Sequence, residues 1–460
     1  MEEHAEKVIE ISSKARYLYD RCLGFQIYNG STQCTRESSK TQTNTIDIRS
    51  LNSVLHVDAN KKMVLVEPSV PMENLVAATL AHGLIPPVVM GYRNITAGGA
   101  FAGTSGGSSS FRHGCFDRTV TRIEVVLANG QVMRASTTEN TELFYGAAAS
   151  FGTLGVVTLL EIQLFPAKPC VRLEYRPVSS VSQGVSEIQR YTTNTDCHYL
   201  DGIMYSRDKG VLSAGYLSDK PSESTPVQHF TRSTDPGFCM HMEEILARGT
   251  PAEDYIPLVD YLFRHDRAGS CIGKHASGLF RQYTIQDIAV PYDGASEFID
   301  YLDDSFGQYP ICFCPVRQIT PRPDGSKVHG LMAQHYSSES IPKESEVLLS
   351  IGIHSPGPRP EEEFIEFNHS IGRKVHALGG QKWPYARTYH TEAEFWSIYD
   401  RQYFDRLRRR YHAIYMPTLY EKTECLLGRK KKLNVFSGDI SAWFVFLVAG
   451  LYYVVTGGGL

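Results

Sequence analysis

Several features are scarce in this 460-residue protein, and each scarcity excludes something. Basic charge is not in excess: 46 Lys and Arg stand against 50 Asp and Glu, a formal charge of −4. Such a balance argues against nucleic acid as a partner and against a polybasic surface over the whole molecule. None of the ten cysteines has a partner at C-x-x-C spacing, so zinc ribbons and thioredoxin-like redox pairs are excluded and no metal site is predicted. There is no Gly-Lys-Ser/Thr of a Walker loop, and no strand–GxGxxG–helix unit followed by an acid, which removes the P-loop and Rossmann nucleotide sites. No internal repeat is visible. No apolar run reaches the ~20 residues of an ordinary spanning helix. Disorder is excluded as well, because hydrophobic residues make up 42% and charged residues 21%.

What is present begins with length, which predicts two domains. The pattern changes around Pro166-Ala167-Lys168-Pro169, so the expected division is 1–165, 166–422 and a tail, 423–460. Residues 5–23 have an amphipathic helical pattern, and 72–84 have a second one ending at Gly83. Asn129-Gly130 predicts a hairpin between two strands. Residues 207–238, rich in Ser, Asp, Thr and Pro, read as a long surface excursion, and 395–415 as a strongly helical stretch ending before Pro417. Cys312 and Cys314, in ICFCP, would point to the same face of a strand and pack as small hydrophobes. The start, MEEHAEKVIEISSKAR, does not resemble a secretory signal, which with free thiols predicts a reducing, cytosol-facing location. Ile440 to Val455 is uncharged and follows Arg429-Lys430-Lys431-Lys432. It admits three readings: a membrane tail anchor, a buried helix, or an atypical end.

The most informative stretch is glycine. Ala97 to Gly107 reads AGGAFAGTSGG, five glycines in eleven residues. Glycines let backbone N–H groups approach an anion without Cβ obstruction, and the surrounding hydroxyls add donors. Alone, such a stretch could equally be a surface loop. Two further small-polar turns accompany it, Asn29-Gly30-Ser31-Thr32 and Gly152-Thr153-Leu154-Gly155. Three turns of this kind, separated by strands and helices, can converge on one extended diphosphate ligand.

The spacing of these turns resembles the FAD-binding domain of the vanillyl-alcohol-oxidase-like, or PCMH-type, flavoproteins. The resemblance implies an α+β fold: an FAD-binding domain of two α/β subdomains, then a substrate domain with a mainly antiparallel sheet flanked by helices. It implies that FAD is held by Asn29, Gly30, Ser31 and Thr32, then by Thr96, Gly98, Gly99, Gly103, Thr104, Ser105, Ser108 and Ser109, then by Gly152, Thr153, Gly155 and Val157. Relatives that bind FAD covalently use a histidine in the first turn; none stands here, so dissociable FAD is expected. His113 and Cys115, in RHGCF, remain alternative attachment points.

Seven segments of the second half are similar to the sterol Δ24-reductase branch: CHYLDGIMYS (197–206), DYIPL (254–258), RHDR (264–267), QDIAVP (286–291), YPICFCP (309–315), YARTYHTEAEFWSIYD (385–400) and LRRRYHAIYMPTLYEK (407–422). The resemblance implies reduction of a C=C bond in the side chain of a sterol, with NADPH supplying electrons through FAD and a nearby acid supplying a proton. Tyr389 and His390 are the first candidates for that acid, with packing or capping roles as the alternative. Arg264, His265 and Arg267 follow, either stabilising anionic flavin or a cofactor phosphate, or forming a solvated helix face. Lys382 and Trp383 are weaker candidates. An endoplasmic-reticulum membrane association through 440–455 goes with this reading, and no oligomeric state is predicted. Two other functions compete: a flavin oxidase of an alcohol or lactone using oxygen, and a non-catalytic sterol- or flavin-binding protein.

Overall fold

The computed structural model describes residues 1–30, 44–221, 226–232, 234–266, 283–317, 347–358, 360–385 and 387–424. Ser31, Thr32, Arg267 and the 440–455 run lie outside them. Helix α1 (Glu2–Tyr19) opens with Glu2 and Glu3, which complement the positive end of the helix dipole. It buries Val8, Ile11, Ala15 and Leu18, a stripe at helical period. Strands β1 (Gln26–Tyr28) and β2 (Thr45–Asp47) form a small parallel pair. The remaining elements of the first half are β3 (Val54–Asp58), β4 (Met63–Val66), α2 (Met72–Leu80), β5 (Leu84–Ile85), α3 (Ala97–Ala102), α4 (Ser110–His113), β6 (Val120–Leu127), β7 (Val132–Ser136), α5 (Thr141–Ala147) and β8 (Gly155–Gln163). Five of the strands make an antiparallel sheet in the order β3-β4-β8-β6-β7. Helix α2 ends before Gly83, which adopts φ +69°. The β6–β7 hairpin turns at Gly130, φ +82°. Both glycines occupy left-handed backbone, where a side group would be strained.

The short strand β9 (Phe165–Pro166) pairs with β5 and closes this half. The second half contains β10 (Cys170–Val178), α6 (Val181–Thr192), β11 (Tyr199–Ser206), β12 (Lys209–Ser218), α7 (Phe238–Arg248), β13 (Ala252–Pro257), α8 (Leu258–Leu262), β14 (Tyr283–Val290), α9 (Tyr292–Ser305), β15 (Ile311–Arg317), β16 (Val347–Pro356), α10 (Glu361–Ala377), β17 (Gln381–Lys382), α11 (Glu392–Ile398), α12 (Arg401–Arg410) and α13 (Leu419–Thr423). Eight strands form one sheet, β13-β10-β12-β11-β15-β16-β14-β17, antiparallel at every pairing. Strand alternation gives it two apolar faces. Leu200, Leu212, Phe313 and Ile351 pack with Ile188, Phe298 and Ile371 of the covering helices. Leu173, Tyr175, Ile203 and Leu348 join instead the core of the first half. The expected α+β architecture, with an antiparallel second sheet flanked by helices, is therefore present.

One local expectation needs correction. Residues 209–218 are not a surface excursion: β12 is an internal strand, and Gly210 to Gly215 are buried between β10 and β11. The Ser- and Asp-rich flanks obscured its apolar pattern. The 395–415 stretch is two helices, because Asp400 caps a new start by accepting from the Tyr403 N–H, while Tyr399 is extended. These last helices also touch the first half. Leu407 lies against Gly146, Arg410 pairs with Glu142 at 2.5 Å, and Tyr415 meets Gly24.

Candidate functional site

The three small-residue turns meet. Asn29 Nδ2 donates to Thr96 Oγ1 at 3.3 Å, joining the first turn to the glycine-rich stretch. Gly152 lies so near β1 that a Cβ would come within 2.4 Å of Ile27 Cδ1. A Cβ on Gly103 would lie 3.8 Å from the Phe151 ring. Gly30 (φ +74°) and Gly152 (φ +79°) are left-handed, and so are three non-glycine residues of the same turns: Thr104, Ala149 and Phe151. Left-handed backbone is costly for a β-branched residue such as Thr104 and concentrates where a ligand needs it.

The glycine-rich stretch is not wholly a loop. Thr96 caps α3 by accepting from the Gly99 N–H at 3.2 Å, so the first glycines sit in a helical turn. A Cβ on Gly98 would stand 2.5 Å from Pro68 Cβ, and one on Gly107 2.7 Å from the Val89 carbonyl. Beyond α3, Ser109 Oγ donates to the Pro87 carbonyl and Ser110 Oγ accepts from the Gly107 N–H. Ser105 offers its carbonyl to the Phe116 N–H. The amides of Gly106, Ser108 and Ser109 donate to no protein acceptor among the described residues. Unspent amides beside a left-handed turn suit a diphosphate, so the residues present fit FAD. Thr153 is buried and bonds to the Ser150 carbonyl. Gly155 and Val157 belong to β8, paired with Leu127 and Val125; they shape the sheet beneath the third turn. His113 stacks on Phe165 at 5.6 Å, and burial lowers its pKa to about 4. Cys115 is buried, and burial pushes its thiol pKa well up, the opposite of a reactive thiolate.

The second half grips this stretch through contacts that motif reading missed. Trp383 Nε1 donates to the Thr104 carbonyl at 2.9 Å. Tyr261 OH and Ser108 Oγ are 3.3 Å apart. The Leu200 N–H donates to the Ser108 carbonyl at 2.7 Å, and Cys314 Sγ to that of Gly107 at 3.3 Å. Cys312 and Cys314 share a strand face and are half-buried, with Cys312 packed against the core that includes the first half, while Ile311 and Phe313 on the opposite face fill the other core.

Arg264 is neither a solvated face nor an open anion site. It is 5% exposed, ion-paired to Asp201, bonded to the Tyr261 carbonyl at 2.9 Å, and lies 4.1 Å from the Tyr261 ring centroid. Ser213 Oγ donates to the other oxygen of Asp201. His265 packs edge-on to Phe238 at 5.3 Å and against Gly91; burial, aided by Arg264, holds its pKa well below the usual range. Asp266 accepts from the Arg93 N–H at 2.9 Å. The RHD residues thus brace the segment leading into the glycine-rich stretch. Two buried titratable groups lie beside that stretch, Tyr261 and Asp117, the latter with its Oδ2 3.1 Å from Arg118 Nε. Burial raises the pKa of the Tyr261 phenol well above normal and also raises that of the Asp117 carboxyl, whose Oδ1 has no partner.

Tyr389 and His390 form a separate cluster. Tyr389 meets Phe364 edge-on at 6.1 Å, with Lys382 Nζ 5.4 Å from its ring centroid. His390 is 8% exposed, and burial with the nearby Lys382 lowers its pKa to about 4. A neutral imidazole is a poor general acid. His390, Lys382, Pro384 and Phe395 line a small cleft. Trp383, between two of these residues, faces Thr104 instead.

Comparison with known proteins bears on this geometry. Residues 4–136 match the family model described as FAD binding domain. The sequence is 28% identical over 396 residues to the Delta(24)-sterol reductase of Mus musculus, covering 78% of this protein and 73% of that one. It is 24% identical over 441 residues to the Delta(24)-sterol reductase of Arabidopsis thaliana, covering 85% and 78%. A shorter match, 28% over 171 residues and 37% of this protein, joins it to Cytokinin dehydrogenase 4 of Oryza sativa subsp. japonica.

Proposed function

Because the protein has a PCMH-type FAD-binding domain and resembles Delta(24)-sterol reductases over most of its length, we propose that it reduces a C=C bond in the side chain of a sterol, with NADPH as electron donor. The observation that carries this reading is the meeting of the three turns at Asn29–Thr96 and Gly152–Ile27, on an interface gripped by the second half. FAD bound there supplies the hydride. The protein's own residues do the rest. Gly106, Ser108 and Ser109 offer amides to the diphosphate, and Gly98 permits the backbone approach. Trp383 and Tyr261 hold the glycine-rich stretch in place. The Tyr261 phenol holds a proton beside it, as a reaction that ends in protonation requires.

The flavin in this reading is dissociable, which the buried, protonated Cys115 and the stacked His113 support. A cytosol-facing site at the endoplasmic-reticulum membrane belongs to the same proposal. Among the described residues no helix is long and apolar enough to cross a membrane.

The test begins with a visible spectrum of the full-length protein. It continues with anaerobic NADPH titration, with and without a Δ24-unsaturated sterol. Bleaching by NADPH and recovery of oxidised flavin on adding the sterol are expected. Rapid reoxidation by air after photoreduction, with no NADPH consumed, would instead identify an oxidase. Yellow colour that stays with the acid-precipitated protein would overturn the dissociable assignment.

A further inference from the structure

Within the Tyr389–His390 cluster lies an arrangement that the flavin chemistry does not use. His369 on α10, and His390 and Glu394 around the start of α11, offer one ligand atom each, all within 4.8 Å of one another. His369 Nε2 stands 2.9 Å from both carboxylate oxygens of Glu394. The carboxylate is itself fixed, because its Oε2 accepts from the Thr391 N–H and hydroxyl at 2.8 Å. Gly372 admits the third member: a Cβ there would lie 2.7 Å from Cε1 and Nε2 of His390. His390 Nδ1 is buried with no hydrogen-bond partner among the described residues, an unfavourable state unless something satisfies it. Glu366 Oε2 lies 3.6 Å from His369 Nδ1, where an outer carboxylate orients a ligating imidazole.

We propose that His369, His390 and Glu394 bind one divalent transition-metal ion of the zinc class and thereby fasten the start of α11 to α10. Two imidazoles and a carboxylate favour zinc over the oxygen-seeking calcium and magnesium. Tetrahedral zinc holds its ligand atoms about 3.4 Å apart, so His369 and Glu394, now 2.9 Å apart, open slightly while the wider separations, none above 4.8 Å, close in. The fourth position is left to water, which the partly exposed Glu394 admits. The site shares no ligand with the flavin turns, so it stands or falls independently of the proposed reaction.

Full-length protein is stripped with chelator, reloaded with Zn²⁺, passed through gel filtration and analysed for metal, with flavin content measured as the check on folding. About one equivalent of zinc is expected in the wild type, with loss of that equivalent in His369→Ala and His390→Ala and a zinc-dependent rise in melting temperature confined to the wild type. Because a variant may misfold, the wild type is also loaded with Co²⁺, and the visible bands of a tetrahedral nitrogen–oxygen site are expected. No stoichiometric zinc, zinc retained undiminished by the doubly substituted protein, or an octahedral aqueous Co²⁺ spectrum would each overturn the proposal.

Discussion

His4 fastens α1 to the first sheet, and the strength of that fastening is set by pH. Its Nδ1 lies 2.8 Å from Glu67 Oε1 and its Nε2 3.3 Å from Glu124 Oε1, with Lys7 Nζ 3.8 Å from Glu67 Oε2. Hydrogen bonds to Glu124 and then to Glu67 outweigh burial and raise the imidazole pKa from 6.5 to about 9. The folded pKa lies above the unfolded one. The charged imidazole therefore contributes its full stabilisation below pH 6.5 and loses it as pH rises through 9. At ~1.36 kcal/mol per pKa unit, a rise of this size corresponds to about 3 kcal/mol at most. Residual water around the helix start reduces this to about 2 kcal/mol. His4→Gln retains a donor without the titration. Urea unfolding of both proteins, followed by circular dichroism from pH 6 to 9.5, should show the wild type ahead at pH 6 and the gap nearly closed at 9.5. A gap that stayed constant, or widened with pH, would refute the reasoning.

Three further perturbations test the site. Gly98→Ala drives a methyl group into Pro68, so it should cost about 1–3 kcal/mol and lower the flavin-to-protein absorbance ratio; normal flavin content would remove Gly98 from the cradle. Trp383→Phe leaves the Thr104 carbonyl without its donor, a loss of about 1–3 kcal/mol, and FAD affinity should fall about tenfold or more in a fluorescence titration. Asp201→Asn strands the buried Arg264 guanidinium and should cost about 3–5 kcal/mol in a denaturant melt. Removing both charges, as Asp201→Leu with Arg264→Met, should recover most of that loss; no recovery would mean the pair acts other than electrostatically.

Local pattern made some of this molecule legible. Val8, Ile11, Ala15 and Leu18 announce α1 by their period, and Asn129-Gly130 announces its hairpin, because the signal and the structure lie within one stretch of sequence. Where the outcome depended on distant partners, the reading slipped. β12 is a strand because β10 and β11 flank it on both sides, not because of its own Ser- and Gly-diluted composition. Arg264 resembled an anion site until Asp201 was placed beside it, and nothing in RHDR indicates a partner 63 residues upstream. The glycine turns were legible as a set because left-handed and close-approach positions demand glycine locally. Their convergence depends also on Ile27, a residue that no spacing rule selects, beside Thr96 of the second turn itself.

The placement of the grip on the glycine-rich stretch has a consequence for how such a protein divides its labour. Thr104, Gly107 and Ser108 are held by Trp383, Cys314, Leu200 and Tyr261, which come from different parts of the second half. Three of the acceptors are backbone carbonyls, so the contacts fix the course of the backbone and not merely a rotamer. Arg317 Nε and Arg112 Nη1 add bonds across the same boundary, to the carbonyls of Phe111 and Cys197. In the proposed reaction, the half assigned to the sterol thus also sets the conformation of the segment expected to wrap the cofactor. A reaction between two bound partners depends on their relative placement to within about an ångström. A shared set of backbone contacts couples the two placements, so substitutions in the substrate half should register first as changes in flavin affinity and spectrum.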